Sequence, residues 1–135
     1  TVNDTIFYSA NGDEWTTIQS NLTAPAMLDG AFSGRRVVIV KPVSLLTIVS
    51  VASGMWSDAS PAKSLMSSFD DIAWTGGFFV VAGQGESILS FSGTIWRKHA
   101  TFPTDLGGTH HLACSDSLCV AIGGFGNSVM VWEKP

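Results

Sequence analysis

Residues 71–83 read DIAWTGGFFVVAG, which is two apolar runs joined by a glycine turn. The chain contains two similar pairs of runs, at 29–33 with 36–40 and at 111–115 with 118–122. The second run of each pair is rich in Val, Ile and Phe and is bounded by Gly or Pro, a pattern typical of a strand covered on both faces. The pairs recur about every forty residues, and such a period indicates stacked repeats.

A second repeated element is a serine followed six residues later by a tryptophan, at Ser9–Trp15, Ser50–Trp56 and Ser90–Trp96. A glycine-containing turn lies inside each copy, at Asn11-Gly12, Ser53-Gly54 and Ser92-Gly93. Asn-Gly is a strong hairpin signal because both turn residues must accept positive φ. We therefore expect a third strand to end at each serine and a fourth strand to begin near each tryptophan.

Four short antiparallel strands in each repeat predict an all-β fold, and specifically a β-propeller made of four-stranded blades. We place the repeats at about 1–28, 29–69, 70–109 and 110–135, where the first and last are partial blades of one segment, 1–135. The chain then holds about three blades, as part of a larger ring or a longer propeller. No stretch has a 3.6-residue apolar period, so helix is expected to be nearly absent.

The serine–turn–tryptophan element resembles the Asp-box of sialidase-like, BNR-type propellers, whose repeats read roughly Ser-x-Asp-x-Gly-x-Thr-Trp. Residues 71–83 are also similar to the propeller repeats of the photosystem II assembly factor type. The resemblance spans nearly the whole chain, from Thr5 to Trp132, and implies the propeller fold rather than a particular activity. The aspartate of the box is replaced in every copy, by Asn11, Ala52 or Ser92. The resemblance therefore implies that the serines and tryptophans fix turns and pack between blades.

The ends of the sequence predict association with other strands. A propeller closes with about four to eight blades. This chain is expected to begin in the third strand of one blade and to end after the third strand of another. The expected unpaired edges, Thr5–Ser9 and Val129–Trp132, would expose backbone groups and apolar side chains. We expect a protein partner, or further blades from the same or another chain, to cover them.

Composition and charge limit the classes of partner that this chain is expected to bind. Of the 135 residues, 45% are hydrophobic and only 13% are charged, so some apolar surface is expected to meet a partner. A net charge of −4 with seven Lys and Arg residues argues against nucleic acid binding. The apolar stretch Val37–Trp56 is interrupted by Lys41-Pro42 and is rich in β-branched residues, so we expect no membrane span.

Cys114 and Cys119 flank the predicted first hairpin of the last blade, where their side chains would lie opposite one another. This spacing favours a disulfide, and the alternative is two buried thiols in the positions of Trp74 and Phe79. A metal site with His110 or His111 is disfavoured because the spacing does not resemble a zinc motif. We expect no metal and no cofactor.

Two triplets match the glycosylation sequon, Asn3-Asp4-Thr5 and Asn21-Leu22-Thr23, and Asn21 is the better candidate because it lies in a polar loop between blades. Together with the cysteine pair, they predict a secreted glycoprotein in an extracellular or luminal compartment.

The sequence offers little for catalysis. Sialidases need three arginines, a tyrosine and a glutamate, and here Arg35, Arg36, Arg97 and Tyr8 do not lie in matching contexts. Two carboxylates can hydrolyse glycosides, and Asp70, Asp71 and Glu86 are the acidic residues near the predicted channel mouth. We interpret them as polar residues at the rim, and we expect no enzyme.

Candidate binding residues lie on the face where a propeller places its ligands. Asp29, Asp71 and His111 begin the three predicted innermost strands, and Lys41 and Glu86 lie in loops on the same face. The sequence thus predicts a non-enzymatic binding or scaffold module for protein–protein assembly within a larger complex. The alternative is a carbohydrate-binding, lectin-like propeller or a glycoside hydrolase fragment, with a glycan as ligand.

Overall fold

The computed structural model describes residues 6–18, 29–41, 44–48, 57–66, 68–83, 86–101, 109–123 and 128–133. These residues form thirteen β-strands in four antiparallel sheets, and they contain no helix. The predicted all-β class is therefore confirmed. None of the described segments forms a helix that could cross a membrane.

The strands follow the chain order within each sheet. Sheet one contains β1 (Ile6–Tyr8) and β2 (Thr16–Ile18). Sheet two contains β3 (Asp29–Phe32), β4 (Val37–Lys41), β5 (Ser44–Ile48) and β6 (Ser57–Asp58). Sheet three contains β7 (Asp71–Trp74), β8 (Phe79–Gly83), β9 (Glu86–Ser90) and β10 (Arg97–Thr101). Sheet four contains β11 (Thr109–Cys114), β12 (Leu118–Gly123) and β13 (Ser128–Glu133).

The pairing registers make the repeats equivalent residue by residue. Asp29 lies opposite Val40 in sheet two, as Asp71 lies opposite Ala82 in sheet three. His111 lies opposite Ile122 in sheet four, immediately after a register shift in β11. The same side-chain position can therefore be compared between sheets.

Two apolar cores lie between successive sheets. In the first, Val38 and Val40 of sheet two pack with Phe79, Val81 and Ile88 of sheet three, among other buried residues. Because neighbouring residues of a strand point to opposite faces, the alternate residues of sheet three are free to form the second core. We call the face of a sheet that meets the next sheet its forward face, and the opposite one its rear face.

The second core joins the forward face of sheet three to the rear face of sheet four. Val80, Ala82 and Leu89 pack there with Leu112 and Ala121. Strand β8 is consequently buried along its whole length, as its continuous apolar run predicts.

Cys114 and Cys119 form the predicted disulfide, with an S–S distance of 2.05 Å. The two residues are paired across β11 and β12 in the same register as Trp74 and Phe79 in sheet three. The aromatic pair packs with ring centroids 4.8 Å apart. The disulfide thus occupies a cross-strand position that two aromatic rings fill in the neighbouring sheet.

Candidate functional site

The carboxylates of Asp29 and Asp71 connect the first strands of successive sheets. Oδ2 of Asp29 accepts a hydrogen bond from the amide of Ile72 at 3.1 Å. Oδ2 of Asp71 accepts the equivalent bond from the amide of Leu112. Each carboxylate therefore binds the amide one residue after the equivalent position, Asp71 or His111, in the next sheet, and it holds β3 to β7 and β7 to β11. Sequence reasoning grouped the two aspartates at one face but did not anticipate these bonds.

The two aspartates also interact with one another. Burial, a side-chain hydrogen bond with Asp29 and repulsion by its charge raise the pKa of Asp71 to about 7. The amide hydrogen bonds from Leu112 and Ile72 oppose this shift because they favour the charged carboxylate. Near neutral pH, a substantial fraction of the molecules therefore carries a proton on Asp71.

The other predicted rim residues have separate surroundings. His111 is exposed at the position equivalent to Asp29 and Asp71. Lys41 ends β4 and is buried, whereas Glu86 begins β9 and forms an ion pair of 2.6 Å with Lys98 of the adjacent strand. Of the five predicted rim residues, Asp29 and Asp71 are brought together by the hydrogen bond between their side chains. Within the described residues, no group of three or more side chains could hold a metal ion.

The serine–tryptophan turns of sheets one and three have the same internal hydrogen bonds. Ser9 Oγ accepts from the amide of Gly12 at 2.7 Å, and Ser90 Oγ accepts from that of Gly93 at 2.9 Å. Asn11 and Ser92 lie two residues after these serines, and the side-chain oxygen of each accepts hydrogen bonds from the amides two and three residues later in the chain. Their polar oxygens are thus satisfied within the turn, which is a structural role.

The turn between β5 and β6 differs in length. Ile48 lies opposite Val37, where sheet three has Ser90 opposite Phe79. Ser50 and Trp56 lie outside the described residues, as do the two sequon asparagines, Asn3 and Asn21. Their predicted roles stay predictions.

Trp15 and Trp96 follow equivalent turns but have opposite exposures. The indole of Trp96 is only 9% exposed in the first core, and its Nε1 donates to the carbonyl of Ala59 at 2.7 Å. Trp15 is 62% exposed, and its Nε1 donates to the carbonyl of Gly12 in its own turn. Sheet two covers Trp96, whereas no described sheet covers the face that carries Trp15.

The forward face of sheet four is similarly uncovered. Ile122, Val129 and Val131 are exposed on this face, and Val129 reaches 61%. Ile122 is equivalent by register to Val40 and Ala82, which are fully buried beneath the next sheet. Among the described sheets, none follows sheet four to bury its face.

A groove lies on the forward face of sheet three, at the turn between β9 and β10. It has a volume of about 330 Å³ and is lined by residues 89–92 and 95–97. The ring of Phe91 contacts Phe78 edge-on, and the guanidinium of Arg97 lies 5.4 Å from the centre of the Phe91 ring. Sequence reasoning missed this groove because Phe91 is not part of the repeated motif, and the equivalent residue after Ser9 is Ala10.

No protein-family model matches this chain, and the comparison with curated proteins finds no match either.

Proposed function

We propose that this chain forms consecutive blades of a β-propeller and serves as a non-enzymatic binding or scaffold module within a larger protein assembly. The observation that carries the proposal is the uncovered forward face of sheet four, whose equivalents in sheets two and three are buried. Large contiguous apolar patches on a soluble protein usually mark sites of interaction.

The free energy of burying apolar side chains favours an assembly that covers the forward face of sheet four. Burying a valine, leucine or isoleucine side chain contributes about 1.5–3 kcal/mol relative to leaving it in water. Ile122, Val129 and Val131 are 46%, 61% and 57% exposed, so covering them recovers about half of that value for each, which is a few kcal/mol beside a small domain's stability of about 5–15 kcal/mol. An assembly that covers this face would gain much of that energy.

The stacking of the described sheets supports the propeller part of the proposal. Sheets two, three and four follow one another face to face, and their first strands are joined by the same carboxylate-to-amide bond. Twisted four-stranded sheets that pack in this sequence suit a radial arrangement.

Sedimentation velocity of the purified chain tests the assembly. We expect species heavier than the 14.3 kDa of one chain, or a concentration-dependent increase in mass. A compact 14.3 kDa monomer that unfolds cooperatively at all concentrations would contradict the proposal.

The carbohydrate-active alternative has weaker support. The carboxyl groups of Asp29 and Asp71, which interact with one another, each accept a hydrogen bond from a strand amide. Those bonds suit a role in joining sheets better than one in proton transfer to a sugar.

An extracellular or luminal location is part of the same proposal, because disulfides persist mainly in oxidising compartments. Intact mass after alkylation without reductant tests it on protein from the native source. Two alkylated cysteines would count against both the bond and the compartment.

A further inference from the structure

We propose that sheet four accepts one further β-strand from a partner polypeptide, which pairs with the outer edge of β13 and inserts an aromatic side chain, tryptophan in the simplest case, into the groove of sheet three. This inference rests on the proposed binding function and identifies its partner as an extended segment led by an aromatic residue.

The first observation is the edge of β13. Val131 lies opposite Val120 as Leu89 lies opposite Val80, so β13 holds the place of β9. The outer edge of β9 is paired with β10. Of the strands that the structure describes, none pairs with the corresponding edge of β13. Such an edge presents backbone donors and acceptors that an extended peptide can satisfy.

The second observation concerns the surface of sheet two, where a tryptophan of sheet three occupies the place equivalent to the groove. Trp96 directly precedes β10 and lies against sheet two, where its Nε1 donates to the carbonyl of Ala59. Ala59 follows β6 by one residue. A strand added to β13 in the manner of β10 would bring its own preceding residue against sheet three in the same way.

The register shows that the groove lies at this position. In sheet two, Thr47 pairs with Ser57, two residues before Ala59. Their equivalents in sheet three are Leu89 and Arg97, and both line the groove. The groove therefore corresponds to the surface of sheet two beside the contact made by Trp96.

The chemistry of the groove suits an aromatic side chain. Leu89 belongs to the second core, and Phe91 and Ile95 are large apolar side chains that remain exposed, Ile95 to 80%. The guanidinium of Arg97 beside these apolar groups can also lie over an aromatic face. A volume of about 330 Å³ is at the lower end of the range for small-molecule pockets, about 300–1,000 Å³.

Strand β2 of a second copy of this chain is a candidate for the added strand, because Trp15 precedes β2 as Trp96 precedes β10. Its pairing excludes it. Tyr8 lies opposite Thr16 as Leu89 lies opposite Arg97. The edge of β2 that would face β13 is thus already paired with β1. A single extended strand from a partner polypeptide meets the requirement without displacing an existing one.

A labelled peptide provides the test. The probe is a synthetic peptide with the sequence of residues 94–101, TIWRKHAT, which contains β10, carries an N-terminal fluorophore and is titrated with the purified chain by fluorescence anisotropy. We expect saturable binding, and binding at least about tenfold weaker for the same peptide with Trp96→Ala.

Two variants of the protein test whether the peptide binds at the groove. Ile95→Thr in the groove removes apolar contact and is expected to weaken binding about fourfold. Leu118→Thr is the matched control, since it changes an exposed apolar position on β12, which β13 separates from the added strand, and it should leave binding unchanged. Both positions are exposed, so neither variant is expected to disturb folding.

The outcomes separate this inference from the assembly itself. No binding, equal binding of the two peptides, or equal effects of the two variants would overturn the inference. An assembled chain that ignores the peptide would leave the proposed function standing, and a monomer that binds the peptide would contradict only assembly. If the peptide dissociates a homo-oligomer and Ile95→Thr does the same, the occupant is a second copy, and the partner proposed here is wrong.

Discussion

Ser9 and Ser90 accept the same hydrogen bond from a glycine amide in two different surroundings. The Ser90 bond is buried, whereas the Ser9 bond is exposed to water. Losing a buried acceptor leaves the partner amide without a bond, but water replaces a lost acceptor at the surface. The two positions therefore form a matched pair for measuring what the turn contributes.

We expect Ser90→Ala to lower the free energy of unfolding by about 1–3 kcal/mol. Ser9→Ala is the control and should cost less than about 0.5 kcal/mol. Urea denaturation of the two variants and the wild type measures both values. Equal losses would show that burial of the turn does not determine its contribution.

The raised pKa of Asp71 predicts a pH dependence of stability. Because the folded-state pKa, about 7, lies above the ordinary value of 3.8, the folded state binds more protons between these values. The contribution of Asp71 is therefore fully present below about pH 4 and is lost as the pH rises towards 7.

Asp71→Asn keeps a hydrogen-bond acceptor for Leu112 and removes the titration. We expect the unfolding free energy of the variant, minus that of the wild type, to increase between pH 4.5 and 7.5. The pKa of His99 is lowered by burial and by Arg97. Its contribution to the pH dependence is the same in both proteins, so the subtraction removes it. A difference that is constant or decreases with pH would contradict the assigned shift.

The strands were predictable from the sequence because their signals are local. Glycine turns and apolar runs act within a few residues, and residues 71–83 contain a complete hairpin. The turn of sheet two was less predictable, since Ser50 lies two residues beyond the position that pairs with Val37. The bonds from Asp29 and Asp71 were not predictable, because they join residues of different sheets.

Exposure of the tryptophans could not be predicted from the motif either. Trp15 and Trp96 have the same spacing from their serines, but among the sheets that the structure describes one packs against the indole of Trp96 and none against that of Trp15. Burial of a repeated residue is decided by its neighbour and not by its own repeat.

The contact of Trp96 with sheet two therefore gives a further prediction. Trp96→Phe keeps an aromatic ring but leaves the buried carbonyl of Ala59 without its donor, and we expect a loss of about 1–3 kcal/mol. Trp15→Phe should change stability by less than about 0.5 kcal/mol, because that indole is exposed. Thermal or urea unfolding distinguishes the two, and similar losses would mean that the inter-sheet contact contributes little.

Sheets two, three and four form a stack in which sheet three contacts the sheets on both sides. Stability in such arrangements is approximately a sum of the units and their nearest-neighbour interfaces. Sheet three has both of its interfaces, whereas sheet four has an uncovered forward face. Among the described sheets, the missing interface of sheet four is thus one place where the stack loses stabilising contacts.

Placing a charge on this face should disperse any assembly that uses it. We expect Ile122→Lys to shift the sedimenting species towards the single chain while the unfolding midpoint of that species changes little. Ser117→Lys adds the same charge to an exposed turn of the same sheet and should leave the mass distribution unchanged. Assembly that survives Ile122→Lys would mean that another surface holds the copies or partners together.

The carboxylate-to-amide bonds give the stack a direction. Asp29 offers an acceptor to the sheet after it, and sheet three both receives that bond and offers its own through Asp71. At sheet four the acceptor position holds His111, so the series of carboxylates stops there. Because donor and acceptor lie on different ends, two stacks related by a twofold axis cannot reproduce this contact. A stack that continues in the same direction past sheet four does so without this bond, and its contact is heterologous and head to tail, which yields a closed ring when the rotation per sheet returns to its start and an open filament when it does not.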